Sequence, residues 1–572
     1  MKPKHAIRTS IALLLVLGMA FATAANSGAS NAALSDAAWA KQICQVMPAD
    51  ELQRTYDGLR ADRSGDVQFF AKDPDFVGSG LPHVGPWDYV QKVPMIWYGP
   101  GYINKGKVVN RNVTVADIAP TQADLFKTDF PTATGVPMGE ALVPGEQRKD
   151  PPKLVMTVVW DSAGENVLEE WPNDWSYLKK LAKEGTSYSN AYIGLSPTST
   201  AQGHATMGTG AMPIDHALIA HHFRIGNYMT TPWSQGSRLL DLPTFGDIYD
   251  LSTGNKALIG AVGTVPIHLG AVSHGLTWGG GDRDPIVLSD VNENAGTVGA
   301  EGVNWGLPKA VGDDYSFPDW INKADGTSNI PGLQEAIDMV DRMDGKADGK
   351  WRAKSIADLK DGFDTPARIP WENNLVMEFI KRENFGKDDV GDLMFANYKI
   401  IDYVGHVMSM NSPYMKDSLK VQDAALEELV KFLDKEVGND NYVLLVTADH
   451  GAMPSPKATG AFVASPGKIG VAIKNEFGTD SLMLTQNTSV FLDLEALKKN
   501  GHTVDEVARF VGNLTKGQTY LEGYAPTGSE ADEKLVTAAF PSSLLNQMPC
   551  VKKEPANPGA DAAKETEPVG TN

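Results

Sequence analysis

Continuous apolar strands alternating with amphipathic helices constrain this chain more than any other feature of its sequence. "KLVMTVVW" is followed by "WSYLKKLAKEG", and "SLKVQDAALEELVKFLDKEV" leads into "NYVLLVTADHG". A strand with one wet face alternates apolar and polar residues, whereas a strand without alternation must be covered on both faces. The pattern predicts an α/β fold: a three-layer α/β/α sandwich around a largely parallel sheet. Ligands in such sheets gather beyond the carboxyl ends of the strands. Polar residues stand at those ends here, Asp161 after "TVVW" and Asp449 with His450 after "VLLVTA". Burying a carboxylate and an imidazole there without partners is expensive. Taken alone, "TADHG" fits metal coordination and a hydrogen-bonded structural pair equally well.

Lys2, Lys4 and Arg8 precede an apolar run from Ile11 to Phe21, and Ala22-Thr23-Ala24 follows. That run is short of the ~20 apolar residues a membrane span needs and ends in a cleavable small-residue motif. Residues 1–24 therefore read as a removed export signal, with a periplasmic or extracellular destination. No other stretch is long and apolar enough to cross a bilayer, so no stable membrane insertion is expected. Residues 25–43 read as a flexible lead-in. Residues 551–572 lack large apolar side chains and read as a disordered tail. Between them, 151–453 is expected to form the main catalytic α/β domain, and 454–550 a smaller lobe that returns to the core. An insertion at 262–371, rich in Gly, Asp, Asn and Trp, is expected to act as a lid or substrate-facing region.

Lys and Arg number 51 against 71 Asp and Glu, a formal charge of -20, which argues against specific nucleic-acid binding. A small phosphate ester remains compatible, because bound dications dominate the local field of a metal site. Cys44 and Cys550 are the two cysteines. In an oxidising compartment they can join the ends of the mature chain; two free thiols are equally consistent with the sequence alone.

Two further segments carry groups suited to chemistry. In "KIIDYVGHVMS", Asp402 and His406 share one face if the segment is helical, an arrangement that taken alone is more often a surface or capping pair than a ligand pair. Thr200 lies in "SPTSTAQGHATMGTG", a polar loop entering a helical pattern, where the positive end of the helix dipole favours an alkoxide and a phosphoryl oxygen. An ordinary N-cap is the alternative for Thr200.

Asp161, "SPTSTAQGHATMGTGAMPIDH" with Thr200 four residues before His204, "DYVGH" and "ADHG" together resemble the alkaline phosphatase superfamily. The likeness is strongest to its type I phosphodiesterase and nucleotide pyrophosphatase branch and to the single-threonine alkaline phosphatases, and it runs from Lys153 to Gly451. The resemblance implies an alkaline phosphatase-like fold and two divalent ions around a nucleophilic Thr200. Asp161, Asp449, His450 and the Thr200 oxygen would hold one ion; Asp402, His406 and a further histidine would hold the other. Such a mixed carboxylate and imidazole set suits zinc, and ligand type also admits manganese or iron.

The family's last histidine normally follows "DHG", but here that region offers only His502. The stretch from "RSGDVQFFAKDPDFVGSGLPHVGPWDYVQKVPMIWYGPG" to "PMGEAL" resembles the family's closing segment instead, with His83 in the ligand's place. The resemblance thus implies a circular permutant, residues 44–150 being the relocated carboxyl-terminal part of the catalytic domain, and a Cys44–Cys550 disulfide that recloses the cut. Where the branch has a phosphate-binding Asn, this chain has His221, with His222 and Arg224 close by. These three are substitute phosphate donors or residues of an altered surface loop. The Lys and Arg pair of the monoesterase branch has no counterpart that can be placed.

The implied activity is an exported two-metal phosphoric ester hydrolase acting through a covalent phosphothreonine, phosphodiesterase or nucleotide pyrophosphatase in type. A phosphomonoesterase is the nearest alternative, and a noncatalytic binding protein on the same scaffold is the alternative from a different class. A sulfatase is disfavoured because no cysteine stands near the nucleophile.

Overall fold

The strands Leu154–Trp160, Asp392–Tyr398 and Tyr442–Thr447 are buried at every position, as their lack of alternation requires. They lie side by side and parallel in the middle of an eight-stranded sheet. Outward from Asp392–Tyr398 come Ile259–Gly263 and Ile286–Leu288, both parallel to it. On the other flank lie Met95–Tyr98, Thr186–Tyr192 and Lys107–Thr114. Met95–Tyr98 alone runs against its neighbours. The computed structural model describes residues 35–553 except 149, 234, 290–304, 325–327 and 363. The expected export signal, residues 25–34 of the lead-in and the tail from 554 lie outside the described residues.

Two groups of mutually contacting helices cover the sheet. Ile118–Phe126, Thr200–Thr209 and Phe245–Thr253 make one group, and Ser176–Glu184, Arg368–Arg382, Ile400–Met408 and Pro413–Leu433 the other. This mixed α/β architecture agrees with the fold class read from the sequence.

A second, antiparallel sheet has the order Leu482–Thr485, Ser489–Leu492, Val67–Ala71, Val536–Pro541. Its core is separate from that of the large sheet and is built from residues near both ends of the chain, among them Trp39, Ile43, Phe69, Val507 and Met548. The segment 44–150 is accordingly divided: Val67–Ala71 sits in the middle of the small sheet, while Met95–Tyr98 and Lys107–Thr114 belong to the large one. Within it, the loop carrying His83 passes from one sheet to the other.

Two expectations are corrected. The lead-in expected to be flexible to residue 43 forms a helix from Asp36 to Val46, capped by Ser35 and anchored by buried Trp39, Ala40 and Ile43. Trp39 and Ile43 are one helical turn apart, and this spacing lets a small-residue stretch dock. The insertion at 262–371 is not a separate flap. It supplies the edge strand Ile286–Leu288, and its Trp305, Tyr315, Trp351 and Trp371 are buried in the main core. Aromatic side chains of that size serve here to fill the core, not to face substrate.

Cys44, on the first helix, is disulfide-bonded to Cys550 across a separation of 506 residues. Both sit against the core of the smaller lobe. A link that closes so long a loop removes conformational freedom from the unfolded chain and stabilises by about 2–4 kcal/mol. Reduction, or replacement of both cysteines by serine, is therefore expected to lower unfolding free energy by that amount in denaturant titrations. Two free thiols found by intact-mass analysis of the purified protein would contradict this.

Candidate active site

Because three neighbouring strands are parallel, their carboxyl ends open on the same edge, and each delivers one or more polar groups. The register pairs Tyr398 with Trp160 and Thr447 with Val159. Asp161 and Lys399 are the first residues past their strands, while Asp449 and His450 follow Thr447 after one intervening residue, Ala448. The helix that begins at Ile400 then brings in Asp402 and, one turn later, His406.

Two donor groups result. In one, Nε2 of His83 and Nε2 of His406 each lie 3.4 Å from Oδ1 of Asp402. In the other, Nε2 of His450 lies 3.2 Å from Oδ2 of Asp449, 3.3 Å from Oγ1 of Thr200 and 3.9 Å from Oδ1 of Asp161. Each group holds its ligand-capable atoms within 4.8 Å of one another. The rings of His83 and His450 stack with centroids 3.5 Å apart, so the two groups adjoin.

The outer nitrogens are engaged in a way that frees the inner ones. His406 donates its Nδ1–H to the Leu81 carbonyl at 3.2 Å, and His450 donates its Nδ1–H to the Gly451 carbonyl at 3.1 Å. Both Nε2 lone pairs are thereby turned toward the carboxylates, the tautomer a metal requires. Oδ1 of Asp402 and Oδ2 of Asp449 are buried without a hydrogen-bond donor. Orphaned acceptors next to free imidazole nitrogens fit a pair of divalent cations and would be costly in their absence.

Lys399 was not foreseen from the sequence. Its ammonium is buried between the groups, 2.8 Å from Oδ1 of Asp161, 2.8 Å from Oδ2 of Asp402 and 3.1 Å from Oγ1 of Thr200. Three N–H groups thus meet three acceptors. A signal was present: the same strand-end reasoning that singles out Asp161 applies to a lysine that closes "DLMFANYK".

Titration reflects the charge balance. Burial, followed by the field of Asp449, pushes the Asp161 carboxyl up to about 8. At Asp449 burial acts in the same upward direction, but His450, His204 and Lys399 outweigh it and hold that carboxyl well below its usual range. Burial lowers Lys399, and Asp161, Asp402 and Asp449 overcome it, so the ammonium stays charged. Burial and the neighbouring His450 bring His83 down to about 3, which keeps it neutral. Three carboxyl groups thus share one lysine, and the upward shift of Asp161 marks where positive charge falls short.

Thr200 opens the helix Thr200–Thr209, of which every residue is buried. Gly203 lets that helix approach the strand end: a Cβ there would come within 3.1 Å of the Asp449 carbonyl oxygen. Thr198, two residues before Thr200, bonds through its hydroxyl to the carbonyl of His83 and accepts from the amide of Gly85. The Thr200 loop and the His83 loop are therefore held as one unit. His204 donates Nδ1–H to the Thr200 carbonyl at 2.8 Å, and its Nε2 accepts from Nδ2 of Asn397 at 2.9 Å. Asn397 also donates to Oδ2 of Asp161 at 3.0 Å. His268, which stacks on His204, points Nε2 at the same oxygen from 3.7 Å. Asn397 thereby orients Asp161, and no periodicity in the weakly patterned insertion singles out His268.

Of the three expected phosphate donors, only His221 is near the centre. Its Nε2 is buried without a partner, and it feels Lys399, His83 and His450. His222 is exposed. Arg224 is instead committed to the smaller sheet, pairing with Asp66 at 2.7 Å and donating to the Leu492 carbonyl at 2.8 Å. His502 lies on the smaller lobe beside Glu506 and Phe477.

The chain is similar in sequence to known proteins. A family model described as type I phosphodiesterase / nucleotide pyrophosphatase matches residues 155–530. Alkaline phosphatase PafA of Elizabethkingia meningoseptica is 24% identical over 458 residues, covering 69% of this chain and 79% of the relative. A Myroides odoratus protein named calcium-transporting ATPase is 24% identical over 416 residues, 65% of this chain and 74% of the relative. Alkaline phosphatase PhoV of Synechococcus elongatus is 24% identical over 391 residues, 61% of this chain and 69% of the relative.

Beside the site, His216 supports the Thr200–Thr209 helix: its Nδ1 accepts from the Leu218 amide and its Nε2–H donates to Oγ1 of Thr206. Burial pushes its pKa down to about 3. The unfolded chain takes up this proton near pH 6.5 while the folded one resists to about 3, so stability is lost as pH falls through that window. Between pH 7.5 and 5.5 one such histidine removes about 1.4 kcal/mol. Denaturant titrations of His216→Gln are expected to show a pH-dependent loss smaller than wild type by that amount; an identical loss would overturn the assignment.

Proposed function

The chain belongs to the type I phosphodiesterase/nucleotide pyrophosphatase family and is a phosphoric ester hydrolase; on that premise we propose that Thr200 attacks phosphorus and carries the phosphoryl group as a phosphothreonine. The observation that carries this reading is the position of the Thr200 hydroxyl, at a helix N-terminus and within 3.3 Å of both Lys399 and His450. In the proposed first step the Oγ1–P bond forms as the bond to the leaving oxygen breaks, with the electron pair departing on that oxygen. A water oxygen then displaces Oγ1 and releases phosphate.

Lys399 donates to Oγ1 and so favours its deprotonated form. The hydroxyl proton leaves to solvent, since the one free lone pair of His450, on Nε2, would be committed to the ion of that group. The helix dipole and His221 provide favourable charge and a donor for phosphoryl oxygens. His83, Asp402 and His406 would hold one divalent ion, and Asp161, Asp449, His450 and Thr200 the other. Bound there, zinc would supply Lewis-acid charge stabilisation to the reacting oxygens. With Lys399 in place the His83 group keeps all its donors, whereas the Asp161 group must share Oδ1 and Oγ1 with the ammonium.

Monoesters are the favoured substrates. A buried ammonium beside the nucleophile adds charge suited to a dianionic phosphate, and PafA and PhoV are both named alkaline phosphatases. The family model favours diesters, the second reading and the one the motifs placed ahead. A circular permutation is also proposed: it is supported by a family match that begins at 155 while 67–114 supplies strands to both sheets. Export is proposed on residues 1–24 and is supported by the disulfide. Among the described residues no helix is long and apolar enough to cross a membrane.

Thr200→Ala is expected to lower kcat for p-nitrophenyl phosphate by at least about 10³-fold. Chelation is expected to abolish turnover, zinc to restore it, and bis-p-nitrophenyl phosphate to turn over more slowly. Wild-type rates in Thr200→Ala, or indifference to chelator, would remove the proposal; a faster diester would leave the mechanism and reverse the preference.

Lys399→Met removes a cation that competes for Oδ1 and Oγ1. We expect metal titration of this variant to show at least about tenfold tighter uptake at the Asp161 group together with a lower kcat. Weaker metal binding alongside the lower kcat would make Lys399 a structural strut.

A further inference from the structure

Outside the Thr200 centre, a second group of carboxylates converges at the edge of the large sheet. Asp250 lies near the end of the Phe245–Thr253 helix, and Asp282 and Asp284 lie in the loop before Ile286–Leu288. One oxygen from each falls within 4.8 Å of the other two. Asp250 is only 4% exposed, and its Oδ1 is buried with no hydrogen-bond donor. Asp284 is likewise buried and receives one donor, the Ser273 hydroxyl. Asp282 is exposed and leaves the group open to solvent on one side.

Positive charge is missing. Among the described residues none of the three carboxylates pairs with a lysine or arginine, and Arg283, on the same loop, donates its Nε–H to the Asp313 carbonyl. Burial, then the fields of Asp282 and Asp247, push the Asp250 carboxyl up to about 7, and burial pushes Asp284 well above its usual range. Asp247 does not relieve this, because its oxygens already accept from Thr244 and His274.

We propose that Asp250, Asp282 and Asp284 bind a hard divalent cation, calcium in preference to magnesium, at a site distinct from the catalytic pair. An all-oxygen, anionic donor set selects calcium or magnesium over zinc. One open side lets waters complete a flexible coordination shell, which calcium accepts and magnesium tolerates poorly. The loop is already drawn in to meet the helix: Asn255 donates to the Gly280 carbonyl at 3.0 Å, and the Gly281 amide donates to the Trp278 carbonyl at 2.9 Å. A Cβ at Gly281 would come within 2.5 Å of the Gly275 carbonyl oxygen, so the loop closes this tightly only with glycine there. The cation completes the closure by neutralising the carboxylates. Ser273, which donates to Asp284, follows closely on the Pro266–Ala271 turn that carries His268 against Asp161. The site thus anchors the loop that leads into the edge strand Ile286–Leu288.

The protein as purified, in metal-depleted buffer, is titrated with calcium chloride by calorimetry and followed by thermal unfolding. We expect one calcium per chain with Kd on the order of 10⁻⁴ M, a rise in Tm, and a weaker response to magnesium. Asp250→Asn and Asp282→Asn are each expected to weaken calcium binding at least tenfold; Asp282, being exposed, can be changed without threatening the fold. Without calcium, Asp250→Asn should unfold no lower than wild type, since it relieves repulsion. The proposal is overturned if wild type takes up no calcium at about 10 mM, well above the weakest such sites, or if both variants bind it as wild type does. Phosphoester hydrolysis by Asp282→Asn, expected to be unchanged, separates this outcome from any failure of the catalytic reading.

Discussion

Three carboxylates buried around one ammonium set the terms on which the rest of this molecule is built. Asp161, Asp402 and Asp449 are each almost wholly removed from solvent, and Lys399 neutralises only part of their charge. Such a cluster resists folding unless its surroundings are rigid and its remaining acceptors are offered to cations. The parallel sheet supplies the rigidity. Adjacent strands in fixed register place residues 161 and 399 side by side, and 449 and 450 within reach, without involving a flexible loop. Around them, Asn397, His204 and Ser162 each donate to an acceptor and fix the direction of a carboxylate, a ring or a carbonyl.

The centre also depends on a segment far away in the chain. His83 reaches Asp402 because residues 67–114 cross from the small sheet to the large one, and Thr198 ties its loop to the nucleophile loop. The small lobe is therefore more than an appendage. It holds the beginning of the segment that carries His83, and the disulfide fastens the outer ends of that lobe to each other. Loosening this lobe would release one histidine while leaving the sheet-borne ligands in place.

How much of this was readable in advance follows from the physics of each signal. Apolar continuity made the central strands and their end residues Asp161, Asp449 and His450 evident, because a strand covered on both faces has no other way to be written. Asp402, His406 and His83 were singled out by resemblance to a family pattern, since helical spacing alone does not tell a ligand pair from a surface pair. Lys399 was overlooked although it obeys the same strand-end logic, since a lysine is ordinarily taken for a surface residue. His268 and the true nature of the insertion were not readable. Glycine-rich turns and isolated tryptophans have no period, and only tertiary packing decides whether they cover a core or a substrate. Arg224 shows the converse error: a residue close in sequence to the expected phosphate site is drawn by Asp66 into the other lobe.

The same principle accounts for both anionic clusters. At each, carboxylates are placed where neither solvent nor an equal number of basic side chains can neutralise them, and at each a buried oxygen is left without a donor. They differ in the atoms that accompany the carboxylates. Imidazoles at the centre add borderline-soft nitrogen donors and leave a threonine hydroxyl within reach, which suits a metal engaged in chemistry. The Asp250 group has oxygen alone and no nucleophile beside it, which suits a cation that holds a loop in place. Ser273 and His268 lie close together in the chain between them, yet the two groups do different work: a cation at the edge of the sheet bears on the stability of its loop, and cations at the centre bear on turnover.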